Sequence, residues 1–145
     1  MSKIIGIDLG TTYSAIAQLD DLGTPEVLAS TDNNKKITAS SVYIKDQNMI
    51  VGDKALDALE TTPKQVVTET KRQMENDAVY SLENGEWIDK DDNSKNSYSP
   101  AQISSFILSK LKSYTSDVKK AVITVPALFA EKARVATLDA AKMAG

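Results

Sequence analysis

A β-branched apolar run covers Lys3 to Leu9, with Asp8 and Gly10 at its close, and a second run covers Tyr13 to Leu19. The Gly-Thr-Thr between them is a tight connection, so the pair predicts a hairpin. Asp20 to Pro25 supplies the next turn and Glu26 to Ala29 a third strand, which makes the opening of the chain a meander. Thr31 to Lys36 is a polar loop.

From Ile37 the texture changes to short strands at Ser41 to Ile44 and Met49 to Val51, a short helix at Asp53 to Leu59, and irregular polar stretches. This has the character of an insertion. Asn84-Gly85, between Tyr80-Leu82 and Trp87-Ile88, predicts a hairpin, and Asp89 to Ser97 a solvated turn or loop. Ser99 is suited to cap a helix and Pro100 to its first position, while Ile103, Phe106, Ile107, Leu111 and Tyr114 share one face. Ala121 to Val125 is a continuous apolar strand, expected to be covered on both faces. After Pro126 a helix should run from about Ala130 to Ala144. Its Ala133, Ala136, Ala140 and Ala141 form a small-residue stripe for close packing, and Gly145 suits the C-terminal cap. A mixed sheet with helices on its faces satisfies this order.

Composition narrows the chemistry more than the fold. With 145 residues, 41% hydrophobic and 26% charged, the chain fits one domain or two small lobes of a larger one. One Trp, two Phe and five Tyr leave the core mainly to aliphatic side chains. A formal charge of −3, with scattered cations, gives no footprint for nucleic acid. The absence of Cys excludes disulfides and thiolate chemistry, and the absence of His leaves acid-base or metal work to carboxylates, Lys or Tyr, which favours hard cations. No stretch approaches the roughly 20 apolar residues of a membrane span, and MSKIIGIDLG is too short in apolar residues for a signal peptide. A cytoplasmic protein is expected.

Three places carry candidate chemistry. In Asp8-Leu9-Gly10-Thr11-Thr12-Tyr13 a carboxylate ends a strand where the next turn borders a cleft. Gly10 admits a ligand close to the backbone, and the amides and hydroxyls of Thr11 and Thr12 are suited to phosphate oxygens. The hexapeptide equally reads as a plain hairpin turn. Lys71, in the pair Lys71-Arg72, offers a point charge for a phosphoryl group, though a solvated surface pair is the commoner outcome. Pro126 and Arg134 follow the apolar strand and read, by themselves, as a strand end and a solvated cation.

Taken together and in order, IIGIDLGTTYSAIA, the Lys71-Arg72 pair, SPAQISSFILSKLK and AVITVPALF to ATLDAAKMAG resemble the nucleotide-binding domain of the Hsp70 family over nearly the whole chain. The resemblance implies the first lobe of an actin-like ATPase: a ribonuclease H-like α/β core at residues 1–37 and 115–145, and a smaller α+β insert at 38–114. It implies ATP or ADP with magnesium, Asp8 orienting metal-bound water, and Gly10, Thr11, Thr12 and Tyr13 contacting the β and γ phosphates. Lys71 would position the γ-phosphate and attacking water, and Pro126 and Arg134 would act as a switch toward the substrate domain. Unfolded polypeptides, a J-domain co-chaperone and a nucleotide-exchange factor are the implied partners of the parent protein. The other readings are an actin-like ATPase or sugar kinase of another family, and a non-catalytic binding module of the same fold.

The chain departs from the family pattern at Leu128-Phe129-Ala130, where a phenol and an amide are usual, at Ala39-Ser40-Ser41, where Thr-Pro-Ser is common, and at Gln73-Met74-Glu75, which lacks the usual Gly. Family members continue past the equivalent of Gly145, so the expectation is a fragment carrying one half of a nucleotide cleft and inactive by itself.

Overall fold

The computed structural model describes residues 3–90 and 96–145. Its central sheet is mixed. β1 (Lys3–Asp8) lies between β11 (Val118–Thr124), which runs parallel to it, and β2 (Tyr13–Leu19), which runs antiparallel. β3 (Pro25–Val27) and β4 (Thr38–Ala39) both pair with β2. The meander is therefore present, with a third strand shorter than expected and exposed throughout.

Alternation decides the faces of this sheet. Ile5 and Ile7 of β1 and Ile16 of β2 are buried on one side, while Ile4 is 56% exposed on the other. The buried side receives α2 (Pro100–Lys112) and α3 (Glu131–Ala144). α2 starts where expected because Ser99 and Gln102 form a reciprocal capping box: the Ser99 hydroxyl accepts from the Gln102 amide at 3.1 Å, and the Gln102 side chain accepts from the Ser99 amide at 2.8 Å. Ile103, Ile107 and Leu111 are buried as the helical spacing requires; Leu108 joins them, and Phe106 is only half-buried. Truncating any of these four aliphatic residues to Ala would cost about 2–5 kcal/mol.

α3 docks on α2 through its small side chains. Ala133 and Ala140 are fully buried, Thr137 between them is also buried, and its hydroxyl donates to the Ala133 carbonyl at 2.9 Å. Gly145 ends the helix with φ 85, a conformation that glycine adopts without strain, and its carbonyl accepts from the Lys112 ammonium at 2.8 Å.

The two-sided cover expected for Ala121 to Val125 is not found. Ala121 is exposed and Val122 is 63% exposed. β11 is the outer strand of the sheet, and the helices reach only the face that carries Ile5, Ile7 and Ile123. A continuous apolar run signals suitability for burial and does not itself supply a covering layer.

Two smaller sheets are built between β4 and α2. β5 (Val42–Lys45) is flanked by β6 (Asn48–Val51) and β7 (Val66–Val67), with Val42, Ile44, Val51 and Val67 in the core. α1 (Asp53–Asp57) is shorter than its sequence suggested. β8 (Ala78–Ser81) lies between β9 (Glu86–Asp89) and β10 (Ser97–Tyr98). The β8–β9 hairpin turns at Gly85, φ 71, where an added Cβ would stand 2.4 Å from Lys64 Cγ. Tyr80 and Trp87 meet edge-on across it at 5.5 Å. Of the loop expected at 89 to 97, residues 91–95 lie outside the described residues; Asp89 ends β9 and Ser97 begins β10.

Candidate active site

β1 delivers Asp8 to the end of the central sheet, opposite Ala15 on one side and Thr124 on the other. The Thr124 hydroxyl donates to Asp8 Oδ1 at 3.1 Å. Asp8 is not a buried carboxylate: Ile7 and Leu9 on either side are buried, but Asp8 itself is exposed. Period-two alternation turns it away from the helix-covered face, so water and Thr124 meet its charge and no desolvation penalty is incurred.

The turn after Asp8 is held by two serines. The Gly10 amide donates to Ser14 Oγ at 3.2 Å, and the buried Ser14 and Ser40 hydroxyls are hydrogen-bonded at 2.8 Å. The Ser40 amide donates to the Thr12 carbonyl at 2.8 Å. Glycine is required at position 10 because a Cβ there would stand 2.0 Å from the Tyr13 carbonyl oxygen. The result is a closed loop whose outer surface carries Thr11, Thr12 and the half-exposed Tyr13.

Lys71 comes to this loop from far along the chain. Glu69 adopts a left-handed conformation, φ 56, and the single 3₁₀ turn Thr70–Gln73 that follows aims the Lys71 ammonium at the Leu9 carbonyl, to which it donates. The same ammonium lies 5.7 Å from the centre of the Phe129 ring. Partial burial lowers the Lys71 pKa below the usual lysine value, and the Asp8 carboxylate pulls it back up in part. Arg72 behaves differently. It is exposed and pairs with Glu69 at 3.5 Å. The adjacent cations thus separate into one that faces the loop and one that faces solvent.

Asp8, the Gly10 turn and Lys71 are therefore brought together, with Phe129 beside them. Pro126 opens a turn whose carbonyl accepts from the Phe129 amide at 3.0 Å, which places the aromatic ring. Arg134 is exposed and lines a groove of about 540 Å³ on the helix-covered face, with Ile5, Ile7, Ile123 and Leu138, away from the face of Asp8. Sequence reasoning did not single out Ser14, Ser40, Thr124 or Phe129. Polar residues at inward positions of apolar strands were the signal for Ser14; the pairing of Thr124 with Asp8 exists only through the parallel register of β1 and β11.

Among the described residues no group of three or more carboxylates, His or Cys is placed to hold a metal. One exposed carboxylate next to a glycine turn suits magnesium, which keeps several waters and takes one or two carboxylates alongside substrate phosphates. The donor set fits that ion and not a protein-only cage.

A sheet end carrying a carboxylate, a glycine turn and a lysine is chemically suited to an anionic ligand accompanied by a hard cation. Residues 4–145 match the family model of the Hsp70 protein, and the chain belongs to the Hsp70 family. It is 42% identical, over 99% of its length, to the chaperone protein DnaK of Mycoplasma mobile, and 43% identical, over 98%, to that of Mycoplasmopsis agalactiae. The chain spans 22% of the length of each relative. The match favours neither the sugar-kinase reading nor the non-catalytic one. Among the described residues no helix is long and apolar enough to cross a membrane.

Proposed function

We propose that this chain supplies the phosphate-facing wall of a chaperone ATPase, in a cytoplasmic protein that hydrolyses ATP with magnesium to drive cycles of binding and release of unfolded polypeptides. The observation that carries this reading is the convergence of Asp8, the Gly10 turn and Lys71 at one sheet end, from segments far apart in sequence. Magnesium, when bound, supplies charge neutralisation on the β and γ phosphates. Asp8 orients water in the shell of that ion. The backbone of Gly10 to Tyr13, fixed by Ser14 and Ser40, offers preorganised donors to phosphate oxygens. Lys71, tethered to the Leu9 carbonyl, holds its charge beside the γ-phosphate position, with the Phe129 ring 5.7 Å from the ammonium.

In this reading residues 1–37 and 115–145 form the ribonuclease H-like core of one lobe and 38–114 its insert. Pro126 and Arg134 pass the nucleotide state toward the polypeptide-binding part, and a J-domain co-chaperone and a nucleotide-exchange factor act on the cycle. The test is thermal stability of the full-length protein that carries this chain, titrated with ATP and magnesium, since a ligand at 100 times its dissociation constant adds about 2.7 kcal/mol. A saturable, magnesium-dependent shift that disappears in Asp8→Ala is expected. An equal shift in Asp8→Ala, or one indifferent to magnesium, would remove Asp8 from the site.

A further inference from the structure

α3 begins without a local cap. Its N-cap residue is Ala130, which has no side-chain acceptor; the Ala133 amide turns back to the Ala130 carbonyl at 3.1 Å, while the Ala130 amide itself needs an acceptor from elsewhere. The acceptor is Glu75: the Ala130 amide donates to Glu75 Oε1 at 2.9 Å. Two further contacts run beside this one between the same two segments. Lys71 faces the Phe129 ring, and Asp77 pairs with Lys132. Residues 71, 75 and 77 thus meet 129, 130 and 132 in the same order. The loop that carries the first set is anchored from behind, because Met74 is 2% exposed and receives the Ser104 hydroxyl of α2 at 3.8 Å, and Thr70 is buried.

We infer that Glu75 is a positioning residue that caps α3 from across the fold and makes the Lys71 loop and the start of α3 move as one unit. A carboxylate is the right group for this place, since it both accepts an orphan amide and faces the positive end of the helix dipole. Its functional consequence, that losing the cap misplaces Lys71, rests on the ATPase reading above; the mechanical coupling does not.

Amide hydrogen exchange on the intact protein tests the coupling directly. Glu75→Ala should speed exchange at residues 130–133 by about 2–5-fold, the equilibrium effect of one charge at a helix N-terminus. Residues 69–74 should quicken with them. Glu75→Gln, whose amide oxygen still accepts, should keep most of the protection. Adding Ala130→Asn to Glu75→Ala gives α3 a local cap for the amides of residues 132 and 133, so it should restore those two and leave residue 130 and residues 69–74 fast. In ATP turnover Glu75→Ala should lower kcat by about 10-fold or more with little change in KM, as small misplacements of a reacting group do, and Ala130→Asn should not recover it. Unchanged exchange at 130–133 in Glu75→Ala overturns the cap, and a change there that residues 69–74 do not share overturns the coupling. Absence of ATP turnover in the full-length protein that carries this chain would refute the ATPase reading, while the exchange data would still decide the cap and the coupling.

Discussion

The Lys71 ammonium and the Phe129 ring face each other at 5.7 Å, one carried by the 3₁₀ turn Thr70–Gln73 and the other by the turn that leads into α3. Among the described residues the ammonium donates to the Leu9 carbonyl, and it remains partly open to solvent. Its charge therefore sits beside the Gly10 turn.

In the full-length protein that carries this chain, Lys71→Ala should reduce ATP turnover by about 10²–10³-fold, the effect of losing one preorganised charge-stabilising donor, while nucleotide still binds. Single-turnover hydrolysis and equilibrium binding, measured on the same variant, check this. Unchanged single-turnover rates would show that Lys71 takes no part in the chemistry.

Gly10→Ala places a methyl group 2.0 Å from the Tyr13 carbonyl, a backbone atom that cannot move without shifting β2. We expect a loss of about 1–3 kcal/mol in denaturant unfolding, the usual range for overpacking, together with loss of nucleotide binding. Wild-type stability would mean that the turn has room the geometry does not show.

Ser14→Ala removes the acceptor of the Gly10 amide and the partner of Ser40 in a buried site, so it should destabilise by about 1–3 kcal/mol. Combining it with Ser40→Ala should cost less than the sum of the two, because the second change relieves a hydroxyl that the first has already stranded. Strict additivity in the double-mutant cycle would show that the two hydroxyls do not interact.

The Tyr80 hydroxyl donates to the carbonyls of Lys64 and Val66, and burial, aided by the Glu86 charge, raises the phenol's pKa above its ordinary value. Above about pH 10 the unfolded chain therefore releases this proton while the folded chain retains it. The contribution is whole below the unfolded pKa and is lost as pH rises through the folded one. Urea midpoints should fall in that window for the wild type and stay flatter for Tyr80→Phe, which should itself lose about 1 kcal/mol at neutral pH. Parallel alkaline profiles would exclude Tyr80 as the source.

Local signals in the sequence were legible where one segment contains both halves of an interaction. Ser99 and Gln102 sit three residues apart and cap α2 as their spacing implies; Asn84-Gly85 turns the β8–β9 hairpin. The carboxylate, glycine turn and lysine of the site were found by motif, and their geometry now shows how they meet. What stayed hidden depends on distant partners. Nothing near Ala130 announces that Glu75 will cap it, and nothing in the run Ala121 to Val125 says that one face would be left open. Asp8 shows the same limit, since its exposure follows from which face the helices take.

The parallel pairing of β1 with β11 also sets an order of events in biosynthesis. The β1–β2 hairpin contains only near neighbours and is available as soon as its residues emerge, whereas Asp8 and Thr124 are separated by 116 positions. Closing an unstructured loop of that length costs about 4 kcal/mol in chain entropy, a cost that falls once the intervening sheets have condensed. A ribosome-bound chain must therefore carry its first strand with one edge unpaired until residue 124 has cleared the exit tunnel, and the carboxylate at its tip gains its threonine partner last.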